Sequence, residues 1–521
     1  MNSRPGEHPK LWYALAAIAL VAGLGIRLQL ASLAQTPGHG DSAFYYTVAT
    51  NIVDGRGVVV DYVVYFFLGL VPLTHYAGDF WNPLAEILIS LPMFVLGKSI
   101  FNALLASIAA SMVPALVGFL AARRLCKSLW VGILAGILTF FAPFMIIESV
   151  RTEAIIFFGA FGSLALFLAA KGRQHWFYFL LAAMSTGIAH FIRQDGVFLL
   201  ATLMLCILFA PFSWQRRVGL LGAAVLVHVL MISPMLIKNI SAYGSPLQPG
   251  PASTAFMTSY EDFHAFGREF TWETLRAEWG IRRIVTRRLH TAGENLSQIQ
   301  IFLGPVLLVL ASMGAVNLAL TRQQSRDLYF LVPPLIYWVL IFSFYTFVAS
   351  FSGPGSLPKS LAVLIPFVCL LMVDLLASRI PSSATTAAVV IGLAVILGFR
   401  GYQSSFGSAR LYNQTYRDYR TVRTLATEDS RRRGLDPDGV VIMARDVWDV
   451  YAATGIKSVM VPNNDLETIL FVARHYGVEY ILLPAPRKAL EDIYLGTTPD
   501  ERFVSLGAIP GTDWKLFRIQ Q

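Results

Sequence analysis

Charge is what this sequence has least of. Only 14% of its 521 residues are Asp, Glu, Lys or Arg, while 55% are hydrophobic, against about a quarter charged in an ordinary soluble domain. With a mean hydropathy of +0.58, there is too little polar surface to cover a globule in water. Cysteine is nearly as scarce. Cys126, Cys206 and Cys369 lie in or beside apolar segments, which excludes a disulfide framework and a thiolate metal site. No internal repeat or low-complexity tract occurs, and no glycine-rich phosphate loop opens a helix in the polar C-terminal stretch, so no nucleotide site is assigned there. The net charge of +9 reads as a membrane signature rather than a nucleic-acid one, because the basic residues recur in short linkers between apolar runs.

Those runs carry the architecture. The first extends from Leu11 to about Ala34 behind Arg4 and Lys10. A signal peptide is the rival reading, but its apolar core would be shorter than the roughly 20 residues that span a bilayer. Others cover approximately 100–122, 129–147, 154–170, 176–191, 196–212, 218–237, 299–320, 328–349, 360–378 and 383–399. The expectation is a polytopic α-helical membrane protein of about eleven spans, since backbone inside lipid must satisfy its own hydrogen bonds. The two segments flanking Arg193 are short. From about Tyr416 the composition changes: 439–444, 457–461 and 478–483 read as buried strands and 464–476 as a helix capped by Asn463 or Asn464. That alternation predicts a small C-terminal α/β domain over 416–521, following a membrane part over 1–415.

Short-loop charge fixes an expected orientation. Arg123, Arg124 and Lys127 fall in one linker, Lys171 and Arg173 in the next but one, then Arg216 and Arg217, then Arg322 and Arg326, then Arg379. These belong on the cytoplasmic side with the N-terminus. The opposite set faces outward: the loops 35–99 and 238–298, the short breaks 148–153, 192–195 and 350–359, and the C-terminal domain. In loop 35–99, a helix from Asp41 to Asp54, on which Phe44, Val48 and Ile52 form an apolar stripe, and a second from Trp81 to Leu96 suit the membrane interface. The arginines Arg282 to Arg288 alternate with apolar residues, as in an amphipathic helix touching lipid head groups.

Polar chemistry gathers on that outward face: Asp41, Asp54, Asp61, His75, Asp79, Glu86, Glu148, Arg151, Glu153, Arg193, Asp195, Lys238 and Lys359. Each has a plain reading. Asp41 suits an N-cap, and Glu153 a first-turn carboxylate favoured by the helix dipole. Arg193 would pair with Asp195 or snorkel, although a charge near membrane depth is expensive unless used. Lys359, behind Gly353-Pro354-Gly355, and Lys238 would be flanking lysines. His75 and Asp79 are too few for a metal site, and Asp436-Pro437-Asp438-Gly439 fits a turn before a strand.

In order and sidedness these features resemble the GT-C superfamily of polytopic glycosyltransferases, particularly the protein O-mannosyltransferases and the lipid A aminoarabinose transferase. The resemblance rests on Asp41-Ser42-Ala43-Phe44-Tyr45 opening the first outer loop, Thr152-Glu153-Ala154 heading a later span, Arg193-Gln194-Asp195-Gly196 between two spans, and Lys359 before a Leu/Pro-rich span with Pro366. It covers most of the membrane part. There are departures: the family's Lys-Pro-Pro-Leu is here Trp81-Asn82-Pro83-Leu84, its second acid is Glu, and its late Arg is Lys.

The resemblance implies transfer of a sugar from a polyprenyl-phosphate donor, by inverting displacement at the outer face of the plasma membrane. The acceptor would be a glycan, lipid or protein; no cofactor or metal is implied. Because the leaving phosphate is already a stable anion, such a reaction needs a base for the acceptor proton and cations for the departing charge. On that reading Asp41 is the base and Glu153 its assistant, with Arg193, Lys359 and Lys238 holding the donor phosphate. The rivals are a lipid-sugar transporter or flippase, a transferase using a pyrophosphate-linked donor, and a scaffold.

Overall fold

The computed structural model describes residues 9–321, 326–349, 351, 353–498 and 500–520. Arg4 and Arg322, two of the basic residues in the charge pattern, lie outside the described residues. Among the described residues seven helices are long and apolar enough to cross a membrane, or up to nine when each bent pair is one span. The remaining two expected spans, Phe177–Ile192 and Gly196–Leu208, are helices of 16 and 13 residues. They fall short of a full crossing because the chain breaks at Arg193, whose backbone is extended.

The first helix, Pro9–Leu33, contains a fully buried Arg27 inside its apolar run. Its guanidinium donates to the carbonyls of Gly23 (3.0 Å) and Phe140 (2.6 Å) and stacks on the Phe140 ring. The charge is tolerated because backbone oxygens and a π face replace water. The amphipathic helix around Arg282 is Trp272–Leu303, and it meets Pro305–Thr321 at 102°. Such an elbow lets one arm lie along a membrane surface while the next enters it.

Basic linkers cluster at one end. Arg173 stacks on Tyr329, whose hydroxyl donates to the Phe209 carbonyl, and Arg217 donates to the carbonyls of Leu208 and Phe212. At the same end of the last two apolar helices, Arg379 donates to Asn317.

The C-terminal sheet is larger than the sequence implied. Its strands are β4 (Val441–Ala444), β5 (Lys457–Met460), β6 (Val478–Leu483), β7 (Phe503–Ala508) and β8 (Lys515–Ile519). In the first outer loop lie β1 (Val59–Val60), β2 (Tyr62–Val63) and β3 (His75–Tyr76), with β1 and β3 paired antiparallel. The six-stranded order is β2-β5-β4-β6-β8-β7, so the outer loop supplies the edge strand β2, parallel to β5. Two-residue strands carry no periodicity to read, and the two C-terminal antiparallel strands alternate around polar residues that mask them.

The helix after β5 is Leu466–Tyr476, and its cap is Asp465, which accepts from the Thr468 amide at 2.9 Å, rather than Asn463 or Asn464. Asn464 is used elsewhere, exchanging hydrogen bonds with the backbone of Phe266 at 2.9 and 3.1 Å. The change of composition near Tyr416 falls inside one unbroken helix, Ser383–Arg432. At 50 residues, or about 75 Å, it joins the membrane part to the C-terminal sheet without a linker.

The outer-loop helix Gly40–Val53 also departs from expectation. Instead of one apolar stripe it buries residues on most of its circumference, including Ser42, Thr47 and Asn51. One reason is a lid: the helix Val447–Thr454, between β4 and β5, packs on it, with Trp448 against Gly40. The second helix, Leu84–Leu96, keeps Leu91, Phe94, Val95 and Leu96 exposed, as an interfacial segment would.

Candidate active site

Asp41 lies in the first turn of Gly40–Val53, two positions past the one that would cap it. The N-cap is His39, and no side chain performs that bond. Glu153 is the N-cap residue of Ala154–Lys171, yet its carboxylate also declines the backbone. Both acids turn instead toward Lys359 on the short helix Gly353–Leu361. Lys359 Nζ is 2.5 Å from Asp41 Oδ2 and 3.5 Å from Glu153 Oε2. Residues 318 and 206 positions apart thus meet at one ammonium.

The two carboxylates differ in access. The Asp41 side chain is 28% exposed, while that of Glu153 is 2% exposed. Glu153 is held by His39 Nε2 at 2.6 Å, by the Ser42 hydroxyl at 3.0 Å, and more distantly by Arg151 at 4.0 Å. Burial alone would raise its carboxyl, but His39, Lys359 and Arg151 hold it well below its ordinary value. Burial likewise opposes charge on His39, and Glu153 and Asp41 more than reverse it, so the imidazole is raised above 6.5. Thr152 ties the two strands of the site together by donating to the Ser42 carbonyl at 2.8 Å. Arg151 has its own partner, Glu148, at 3.0 Å.

Arg193 stands behind this group rather than in it. It is fastened to Asp195 through Nε (3.1 Å) and Nη2 (2.7 Å). Asp195 also accepts from Tyr345 and from Ser360, each at 2.7 Å. Because Ser360 follows Lys359 in the chain, this network pins the helix that carries the ammonium. Gln194 reaches the other way, donating to the Phe80 carbonyl at 2.9 Å and to the side chain of Gln248.

Lys238 is the outlying member of the predicted set. It is exposed and sits over the Tyr76 ring at 5.3 Å, and among the described residues it makes no bond to the Asp41 group. His75 contacts the Pro72 carbonyl, and the Asp436–Gly439 run is a turn closed by Gly439 donating to Asp436 at 3.1 Å. Among the described residues no group of three or more His, Cys, Asp or Glu side chains is placed to hold a metal ion.

Sequence reasoning missed His39, Tyr345, Ser360 and the roof of the site. That roof is the turn after β4. Trp448 leans on Gly40 so closely that a Cβ there would fall 1.8 Å from Nε1. Asp449 accepts from Tyr416 at 3.0 Å and is pushed up to about 8 by burial and by Asp446. A tryptophan in a distant polar segment gives no linear signal that it will cap a helix near the N-terminus.

No family model matches the sequence, and no curated protein matches it. Solved structures do. ArnT from Cupriavidus metallidurans bound to undecaprenyl phosphate aligns with a TM-score of 0.60 at 12% identity, over 97% of this chain and 98% of that one. Its apo form gives 0.58 at 13% identity, over 98% of both. At that identity the likeness is one of fold: the chain shares the fold of ArnT. The oligosaccharyltransferase of Archaeoglobus fulgidus aligns at 0.50 and 12% identity, over 90% of this chain and 69% of that one.

In the structure the segment Trp81-Asn82-Pro83-Leu84 has no cation. Trp81 packs on Phe44 with ring centroids 4.4 Å apart, and Asn82 donates to the His190 carbonyl. The cations nearest the two acids come from elsewhere in the chain, as Lys359 and Arg151.

Proposed function

We propose that the chain is a membrane glycosyltransferase moving a sugar from a polyprenyl-phosphate donor to an acceptor hydroxyl at the outer face. The observation carrying this reading is the shared ammonium of Lys359 between an accessible carboxylate, Asp41, and a buried one, Glu153. A salt bridge that merely stabilised the fold would not need a second, deeply buried acid held ionised by three cations. ArnT, the structural neighbour covering 98% of its own length, is described bound to undecaprenyl phosphate, which supports the donor class.

In this mechanism the donor phosphate competes with Asp41 for Lys359. As the ammonium turns toward phosphate, Asp41 is released to accept the acceptor proton, and the acceptor oxygen attacks the anomeric carbon. The C–O bond to phosphate breaks on the opposite face, and its electron pair leaves with the lipid phosphate. Inversion follows. Glu153 stays ionised throughout and keeps the cations in place, while Arg193 adds positive potential from behind. The basic linkers at the far end support an orientation with those linkers and the N-terminus cytoplasmic.

The test is sugar release from a panel of polyprenyl-phosphate sugars by purified protein in lipid, wild type against Asp41→Asn. Turnover by wild type with at least a hundredfold loss in a folded Asp41→Asn supports the reading. Equal turnover removes Asp41 as base. Movement of labelled lipid-sugar across the bilayer without any transfer replaces the enzyme by a transporter.

A further inference from the structure

The parallel part of the C-terminal sheet has a topological switch point, and it faces the active site. After β4 the chain turns to β5 on one side, while β6 pairs on the other side of β4 and leads away to β8 and β7. In open α/β sheets the crevice at the carboxyl ends of two such strands is where ligands bind. Here the two ends carry Arg445, directly after β4, and Arg487, shortly after β6.

Both guanidinium groups converge on one carboxylate. Glu261, from the outer loop 254–268, lies 2.9 Å from Arg445 Nη1 and 3.2 Å from Arg487 Nη2. The arginine side chains are only 26% and 16% exposed, whereas Glu261 is 44% exposed. Burial and the neighbouring Arg445 lower Arg487, so the pair repel one another as well as attract the anion. The loop is also tied to the domain by Asn464 to the Phe266 backbone, by Asn463 to the His264 carbonyl, and by the Phe266 ring against Phe471 at 6.0 Å.

Next to Glu261 the ring of Tyr260 is 61% exposed, with Arg445 5.9 Å from its centroid. Ring contacts run from Tyr260 through Phe263 (5.4 Å), Tyr65 (5.9 Å) and Trp81 (5.7 Å) to Phe44 (4.4 Å) on the Asp41 helix. Trp448, three residues after Arg445, lies on Gly40, so the arginine crevice borders the roof of the proposed transfer centre. A flat aromatic face beside two guanidinium forks suits a sugar ring that bears a planar anion.

We propose that Arg445 and Arg487 form an acceptor subsite for the carboxylate of a uronic-acid-bearing glycan, that Glu261 fills it as a built-in competitor, and that Tyr260 stacks the sugar. This rests on the glycosyltransferase reading for its consequence, but its binding step is separable from transfer. The carboxylate is chosen over phosphate because a carboxylate is what the two forks grip here.

The test uses the full chain in lipid nanodiscs with a labelled glucuronyl disaccharide, its neutral glucosyl counterpart and the glucosyl 6-phosphate analogue. Glu261→Gln is expected to bind the glucuronyl sugar at least about tenfold more tightly than wild type. Adding Arg445→Met or Arg487→Met should abolish that gain, with the neutral sugar unchanged. In wild type, saturating glucuronyl sugar should speed hydrogen exchange in loop 254–268, and the neutral sugar should not.

Equal affinity for glucuronyl and neutral sugars in Glu261→Gln overturns the subsite. So does a gain that survives both arginine changes, an unmoved exchange rate, or tighter binding of the phosphorylated sugar. Asp41→Asn should bind the glucuronyl sugar as wild type does. Its binding and its transfer activity then report separately on the subsite and on the proposed reaction.

Discussion

The indole of Trp448 rests on Gly40, leaving no room for a side chain at position 40. A residue of the C-terminal domain thus sets the start of the helix on which Asp41 sits. Gly40→Ala should cost about 1–3 kcal/mol through overpacking, and should lower transfer by displacing Asp41 from Lys359. Trp448→Ala in the same chain should restore part of both losses. Thermal unfolding and initial rates of the two single variants and the double variant provide the check.

Lys359 is the junction of the site. Lys359→Met keeps the bulk but removes the charge shared by Asp41 and Glu153. The turnover number should fall about a hundred- to a thousandfold, with the donor KM raised as well. Steady-state kinetics in nanodiscs, alongside a folding check by thermal midpoint, reads the outcome; unchanged turnover would remove Lys359 from the chemistry.

The His39–Glu153 pair gives a pH signature. Because His39 is raised above 6.5, the stabilisation it supplies is complete below that value and fades as pH rises through the raised one. Glu153 is held well below 4.5, so its own contribution persists down to acid pH and is lost only below 4.5. Thermal stability should therefore decline on the alkaline side of about 6.5, and His39→Gln should flatten that decline. Midpoints recorded across the neutral range for both chains measure it.

Arg193 and Lys238, both read from the sequence as donor-phosphate contacts with Lys238 the weaker, should separate. Arg193→Lys loses the two-pronged grip on Asp195, which one ammonium does not reproduce. The donor KM should rise about tenfold. Lys238→Gln, over the Tyr76 ring, should change neither KM nor turnover by more than twofold. Kinetics against donor concentration distinguish them.

The membrane class and the three central strands were legible because long apolar runs and short buried strands leave linear marks. Asp41 and Glu153 were legible as charges at helix starts, and Lys359 as a lysine flanking a span. Their convergence was not, since it depends on where the helix Gly353–Leu361 sits between two others. His39 carries no linear mark that it will reach Glu153. The roof at Trp448 and the sheet edge at Tyr62 were invisible for one physical reason: contacts between distant segments impose no period on either. The stripe on Gly40–Val53 misled because it marks apolar positions only, and this helix also buries Ser42, Thr47 and Asn51 and is covered by residues 390 and more positions away.

The strand at Tyr62 and Val63 has a consequence for how the protein is made. It pairs with Ser458 and Val459, and Asp61 beside it accepts from Tyr451, 390 positions on, at 2.7 Å. During synthesis the first outer loop emerges early and waits, its strand edge open, while nearly every span is inserted. The C-terminal sheet, made later, then finds its edge partner already anchored at the membrane. The sheet is completed on arrival, and the centre is roofed only once Val447–Thr454 is in place. A chain truncated between Lys359 and Val447 would hold both acids and the lysine yet have no lid over them, so the centre is enclosed only after the C-terminal sheet has been added.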